Sequence, residues 1–308
     1  MRPPCQSAAR PAAARAVPAV ERAVALLDVL AASRHPRALA DLARQLALPK
    51  SSLHGLLATL AATGLARRNA DGEFALGPKA LQWADAYATQ SDVMRAFDAH
   101  VDGSAALAAE TVMLATLDGA DVRYLACRQG SRPLAVNFRV GGRFPAACTS
   151  SGKSMLAELP PDEVRARIGE RGLQRLTRHS TATLPALMRQ LAAFRHQGYA
   201  VDDQETAEGM QCFGAAIRGA RGGEPLAAVA VSVIKAGLTP RRRGELVASI
   251  RRLAQTVSAE LGAPPSRPTS HASARPPSRL PAGAPSNPTA RAPGRTARLR
   301  AAERSEPR

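Results

Sequence analysis

Residues 38–65 read ALADLARQLALPKSSLHGLLATLAATGL, and this stretch decides the fold. Leu39, Leu42 and Leu46 recur at three- and four-residue intervals, Leu48-Pro49 interrupts them, and Leu53, Leu56, Leu57 and Leu60 resume the period. The spacing predicts two short amphipathic helices joined by a tight turn. Pro49 is expected in the first turn of the second, where its missing N–H and fixed φ cost nothing. With the leucines on one stripe, Lys50, Ser51, Ser52, His54, Gly55, Ala58 and Thr59 fall on the opposite face. A free face of small, polar and basic residues can enter a DNA major groove. An ordinary helical hairpin shows the same leucine spacing, so the neighbouring segments must decide.

Upstream, Val20, Ala23, Val24, Leu27 and Leu30 mark a helix over Ala19–Ala32 whose apolar face can cover the pair. Downstream comes LARRNADGEFALG, two short extended pieces around Asp71-Gly72, a pair that favours a tight hairpin turn. Arg67 and Arg68 stand at its start. Three helices followed by a small basic hairpin form a winged helix-turn-helix, expected over residues 18–78, and that order favours the DNA reading over the hairpin.

The chain has 308 residues and a formal charge of +17, enough for two domains with cores of their own. Nine Arg against two Glu lie in residues 262–308 and three Arg in residues 1–18, leaving about +7 in the middle. Only four of the 42 basic residues are Lys, and Ala, Arg and Pro abound throughout, a pattern of coding bias more than of a specialised Arg surface. Cys5, Cys127, Cys148 and Cys212 are scattered without C-x-x-C spacing, which argues against a zinc site or disulfide framework and fits a reducing cytoplasm. No apolar run approaches ~18 residues and the N-terminus has no uninterrupted apolar core, so neither a membrane span nor a cleaved signal is expected. Residues 1–17 and 262–308, rich in Pro, Ala and Arg with few large apolar residues, are expected to be a disordered leader and tail.

After Pro78, KALQWADAYATQ predicts a linker helix over 79–91, with Leu81, Ala84, Tyr87 and Ala88 on one side; Trp83 and Tyr87 are candidates for a dimer seam or for packing between domains. The second domain, 92–261, opens on a helix through Val93, Phe97, Val101 and Leu107. Strand-like TVMLATL and VRYLACR flank the turn DGAD, and PLAVNFRV is a third extended piece. Helices are expected at Lys153–Leu159, Pro161–Ile168 and Leu184–His196, strands at CFGAAIRG and PLAAVAVSVI, and a last helix at Pro240–Leu261. Strands, helices, then a strand pair is an α+β pattern with an antiparallel sheet, able to cup a small ligand.

Ala147–Ser154, ACTSSGKS, satisfies a loose phosphate-loop spacing, which raises a nucleotide hydrolase as an alternative. Against it, the first glycine is missing, Pro145 interrupts any preceding strand, and no Gly-rich cradle is present. A better reading of the loop places free N–H groups at Thr149, Ser150, Ser151 and Gly152 before a helix, an anion site or a plain N-cap. A cysteine hydrolase would use Cys148 or Cys212, but His100, His179 and His196 stand in no recognisable motif. Asp202, Asp203, Glu205 and Glu208 cluster without His or a ligand-spaced repeat, which reads as a solvated loop and not a metal site. No cofactor, no metal and no catalysis are expected.

Four ordered segments carry a resemblance: the helix-turn-helix with its FALG wing, GGRFPAACTSSGKSMLAEL, GYAVDDQETAEGMQCFGAAI, and PLAAVAVSV. In these, over about residues 18–261, the chain resembles the IclR family of bacterial transcription regulators. The resemblance implies an N-terminal winged helix, a dimerising linker helix, and a C-terminal effector domain related to the GAF fold. It further implies operator DNA as a partner, dimers or dimer pairs, a repressor or activator role, and a small organic acid, often aromatic, as effector. Carried onto this sequence, it assigns Lys50, Ser51, Ser52, His54 and Thr59 to the groove, with Arg67 and Arg68 near the backbone or minor groove. It assigns the effector to the backbone at Ser150 and Ser151, with Asp202, Cys212 and Ser232 around it. Two departures stand out: Ala230 where the family often has Ser, and Gly55 where it commonly has Arg.

Overall fold

The leucine period becomes a three-helix layer of α1 (Pro18–Ala32), α2 (Leu39–Gln45) and α3 (Lys50–Ala62). The computed structural model describes residues 17–131, 138–169, 172–220 and 224–264, so the expected leader and tail lie outside the described residues save at their inner edges. Leu26, Leu42, Leu53 and Leu57 are fully buried, each adding roughly 1.5–3 kcal/mol of apolar transfer to the small core. The buried stripe of α1 is Leu26 and Leu30 with Leu27 beside it, whereas Val20 and Val24 are exposed. The core reaches only the last two turns of α1, which is why the valine half of the expected face lies bare.

The turn between α2 and α3 closes with Leu48 N–H donating to the Ala43 carbonyl at 3.0 Å and Ala47 N–H to the Arg44 carbonyl at 3.3 Å. This is a Schellman end, and it sets Ala47 at φ 52°, a left-handed conformation usually given to glycine. Pro49 is the extended cap residue of α3 and not part of its first turn; its carbonyl takes the Leu53 N–H at 3.0 Å. The wing follows as β1 (Ala66–Arg68) antiparallel to β2 (Phe74–Leu76), with Arg37 bridged to Phe74 on the other side. Asn69 and Glu73 close a three-residue loop in which Gly72 takes φ 81°, a longer connection than a two-residue turn. Next, α4 (Lys79–Gln90) buries no residue.

The expected single helix after residue 92 is α5 (Asp92–His100), a 3-10 turn at Val101–Gly103, and α6 (Ala105–Ala108). The rest of the chain runs β3 (Thr111–Asp118), β4 (Asp121–Arg128), β5 (Arg143–Pro145), α7 (Ser150–Leu156), α8 (Pro161–Gly169) and α9 (Leu184–Gln197). The last described elements are β6 (Ala200–Asp203), β7 (Met210–Ile217), β8 (Ala227–Ile234) and α10 (Pro240–Glu260). One antiparallel sheet, in the order β5-β4-β3-β8-β7-β6, holds all six strands. Most of PLAVNFRV lies outside the described residues, and the strand beside β4 is Arg143–Pro145 instead. β6 takes up Asp202 and Asp203 of the acidic cluster read as a solvated loop, whereas Glu205 and Glu208 lie in the turn that follows it.

Both faces of this sheet are covered. Val112, Leu114, Phe213, Val229 and Val231 pack with residues of α5 and α10. Met113, Ala115, Cys212, Ala228 and Ala230 pack with residues of α7, α8 and α9. That explains why PLAAVAVSVI is apolar on nearly every residue instead of alternating.

Ala47 and Gly55 carry each other's preferred residue. A Cβ built on Gly55 meets nothing within 4 Å, so Gly55→Ala should stabilise by about 0.5–1 kcal/mol. Ala47→Gly should stabilise by about 1 kcal/mol by relieving the left-handed Cβ clash. Urea unfolding of both variants checks this, and a loss of stability at either contradicts it.

Candidate functional site

On α3, Lys50, Ser51, Ser52, His54 and Thr59 are all exposed while Leu53, Leu57 and Leu60 face the core. The Thr59 hydroxyl donates to the Gly55 carbonyl at 3.0 Å, within its own helix. Arg67 and Arg68 are exposed on the wing, but differ in freedom. Arg68 donates to the Gly72 carbonyl at 3.2 Å and lies over the Phe74 ring at 5.6 Å, so it braces the wing tip. Arg67 makes no ion pair or side-chain hydrogen bond among the described residues, and its guanidinium is available to a phosphate.

The second set of predicted residues comes together where α7 meets β6, β7 and β8. Thr149 caps α7 by accepting the Gly152 N–H at 3.0 Å, so the helix starts three residues before the predicted Lys153. Its first turn rests on the β7 backbone: a Cβ on Gly214 would stand 2.6 Å from the Ser150 carbonyl carbon. Ser150 and Ser151 are buried, and burial pushes the nearby Tyr124 phenol well above its ordinary value. Asp202 faces Cys212 across β6–β7, and Cys212 faces Ser232 across β7–β8 with Sγ 3.0 Å from Oγ. All three are almost completely buried.

Sequence reasoning missed the charges that close this site. The Lys153 ammonium is fully buried, ion-paired to Glu205 and placed over the Phe194 ring at 5.6 Å. Thr181 donates to the second Glu205 oxygen at 3.2 Å. Asp202 Oδ1 accepts the N–H groups of Glu205 at 2.7 Å and Thr206 at 3.2 Å. Burial pushes both carboxyls above the usual range, against the pull of Lys153. Asp203 instead pairs with Lys235, and Glu208 with Arg178 at the surface. Among the described residues no group of three or more His, Cys, Asp and Glu is placed to hold a metal ion.

This geometry disposes of the phosphate loop. Gly152 packs onto Ala146, where a Cβ would stand 2.3 Å from the carbonyl oxygen, and the lysine is spent on Glu205. The thiols are equally unsuited to nucleophilic attack. Cys148 donates to the Gln174 carbonyl at 3.2 Å, Cys212 meets Ser232, and burial raises both pKa values, which suppresses the thiolate.

The family described as bacterial transcriptional regulator IclR C-terminal matches residues 85–259, and the IclR helix-turn-helix domain matches residues 19–70. The chain belongs to the IclR family. The acetate operon repressor of Salmonella typhimurium is 30% identical over 271 residues, covering 84% of this chain and 97% of that protein. The crystal structure of Agobacterium tumefaciens repressor BlcR is 38% identical, with a TM-score of 0.53 over 80% of this chain and 98% of its own. An IclR homologue from Microbacterium hydrocarbonoxydans, solved with 4-hydroxybenzoate, shares the fold at a TM-score of 0.68 and 24% identity, over 79% and 98% of the two chains. This IclR-family chain is therefore a ligand-responsive, DNA-binding transcription regulator, and the relatives it matches give no support to a hydrolase.

Removing one partner of a buried ion pair strands the other charge. Lys153→Met should cost about 3–5 kcal/mol, and adding Glu205→Gln should recover much of it; additive losses in the double variant would contradict the pairing. Asp202 gives a pH test. Because its folded pKa is raised, its contribution is fully present below the unfolded value and is lost as pH rises through the folded one. Asp202→Asn, which keeps the acceptor for the two N–H groups, should therefore gain melting temperature over wild type at pH 7–8. That gain, about 2–4 °C per kcal/mol, should disappear near pH 4.

Proposed function

We propose that this regulator binds operator DNA as a dimer in the cytoplasm, through α3 and the wing, and that a small organic acid bound beside α7 tunes that binding. The observation that carries the DNA reading is the division of α3: each of its leucines is buried or half-covered, and Lys50, Ser51, Ser52, His54, Gly55, Ala58 and Thr59 are all exposed. In this reading Lys50, Ser51, Ser52, His54 and Thr59 face the groove, Arg67 takes a backbone phosphate or the minor groove, and Arg68 acts mainly by holding the wing.

Dimerisation draws support from apolar surface left exposed among the described residues. Trp83 is 54% exposed, Tyr87 56%, Val20 59% and Val24 52%, on α4 and α1. A second copy covering α4, alone or as part of a pair of dimers, would put two recognition helices about one DNA turn or a multiple apart, giving a palindromic site. The effector reading rests on the convergence of the Ser150 and Ser151 backbone, Asp202, Cys212 and Ser232 at one place, with 4-hydroxybenzoate in a protein of the same fold as a precedent for an acid.

Titrations with the chain's own upstream intergenic DNA test the reading. Binding should exceed that to random DNA and fall steeply with salt, and Lys50→Ala and Arg67→Ala should each lower the log–log salt slope by about 1. Trp83 is the single tryptophan, so dilution into monomers should red-shift its emission, and Trp83→Asp should yield monomers that lose the DNA. No preference for that DNA, or unchanged dimers in Trp83→Asp, would count against the proposal.

A further inference from the structure

Among the described residues, three buried side-chain polar atoms have no hydrogen-bond partner, and one of them is Thr111 Oγ1. Thr111 is 1% exposed. In β3 it stands directly opposite Ser232 of β8, which stands opposite Cys212 of β7, which stands opposite Asp202 of β6. Directly opposite residues of antiparallel strands share a face, so four polar side chains form one row across four strands. Met113, two residues along β3, shares its apolar cluster with Met155 and Leu156, which puts the row on the side of the sheet that α7 covers. The row is bonded at Cys212–Ser232, 3.0 Å, and broken at Thr111.

A buried hydroxyl without a partner is unfavourable in the free protein and is relieved when something polar reaches it. Of its neighbours on this face, Ala230 offers no donor or acceptor and Met113 only a weakly accepting thioether, and neither partners the Thr111 hydroxyl. We propose that Thr111 and Ser232 together hold one oxygen of the effector, the acid proposed above to bind beside α7, as a polar contact separate from its carboxylate. The effector is then two-ended: a hydroxy, keto or dicarboxylic acid, not a plain monocarboxylic one. Thr111 lies outside the residues that the family resemblance supplied, and its role rests on the organic-acid reading above.

Thermal shift and calorimetry on the full chain test this with matched acids: benzoate against 4-hydroxybenzoate, and butyrate against 4-hydroxybutyrate. Wild type should respond more strongly to the hydroxylated member of at least one pair. Thr111→Val, isosteric and equally suited to a strand, should melt at or above wild type without ligand, and lose roughly 3- to 10-fold in affinity for that hydroxylated acid only. Thr111→Ser, which keeps the hydroxyl, should keep the preference. A ligand-free Thr111→Val that melts below wild type, an equal response of wild type to both members of each pair, or a preference that survives the valine or is lost in the serine overturns the role of Thr111 and leaves the organic-acid reading standing. If none of the four acids raises the melting temperature of wild type, the organic-acid reading fails and this inference with it.

Discussion

The C-terminal domain depends on one close approach, the first turn of α7 lying directly on the backbone of β7. Gly214 permits it, since any Cβ there would enter the Ser150 carbonyl group, and Gly152 permits the matching approach to Ala146. Contact at backbone distance brings the Ser150 and Ser151 amides within the same small region as Asp202, Cys212 and Ser232. It also forces Lys153, one turn along α7, into the interior, where an ammonium persists only with a partner. Glu205 is that partner, and its own position follows from the Asp202 side chain, which gathers the Glu205 and Thr206 amides. Glycines, ion pair and acidic turn are thus a single construction, with each part satisfying a group that the previous part buried.

The same construction explains why so suggestive a phosphate-loop spacing has no phosphate chemistry. A nucleotide-binding lysine has to be free to meet the β- and γ-phosphates, and the loop glycines have to leave room for them. Here the glycines are consumed by protein backbone and the lysine by a carboxylate. In a chain with only four Lys among 42 basic residues, a lysine within the short run SSGKSML of small and apolar residues was itself a signal: a compact ammonium can be enclosed by one carboxylate and a ring face, whereas a guanidinium presents five donors to satisfy.

The N-terminal elements were legible because their physics is local. Leu53, Leu57 and Leu60 sit at helical spacing with nothing else competing to explain them, and Asp71-Gly72 marks the wing loop on its own. The face of α1 was misread because Val20, Val24, Leu27 and Leu30 satisfy the helical period as well as Leu26 and Leu30 do, and only the size of the core decides between them. β6 was hidden for a different reason. Asp202 and Asp203 are poor strand residues by propensity, and only pairing with β7 makes them one. The site residues Asp202, Cys212 and Ser232 came from the resemblance, and their alignment in one row requires the order β6-β7-β8, which no local pattern encodes.

Gly55 and the bare face of α4 bear on how such a regulator divides its affinity. On the proposed DNA reading, α3 has glycine where the family commonly has arginine, so one charge-assisted contact per half-site would be missing, leaving Lys50 at the helix start and Arg67 on the wing, with Arg68 engaged in holding the wing tip. Few contacts per half-site make binding depend on engaging two half-sites at once, because the second becomes intramolecular only if the spacing fits. In the proposed dimer the spacing would be set by whatever fixes α4, and among the described residues only Ala88 of that helix is packed, in part, against the core. An element held by so little local packing can be repositioned at small cost. An effector that binds two arrangements with even modestly different affinity can therefore move the population between fitting and non-fitting spacings, and weak half-sites turn that shift into a large change in occupancy.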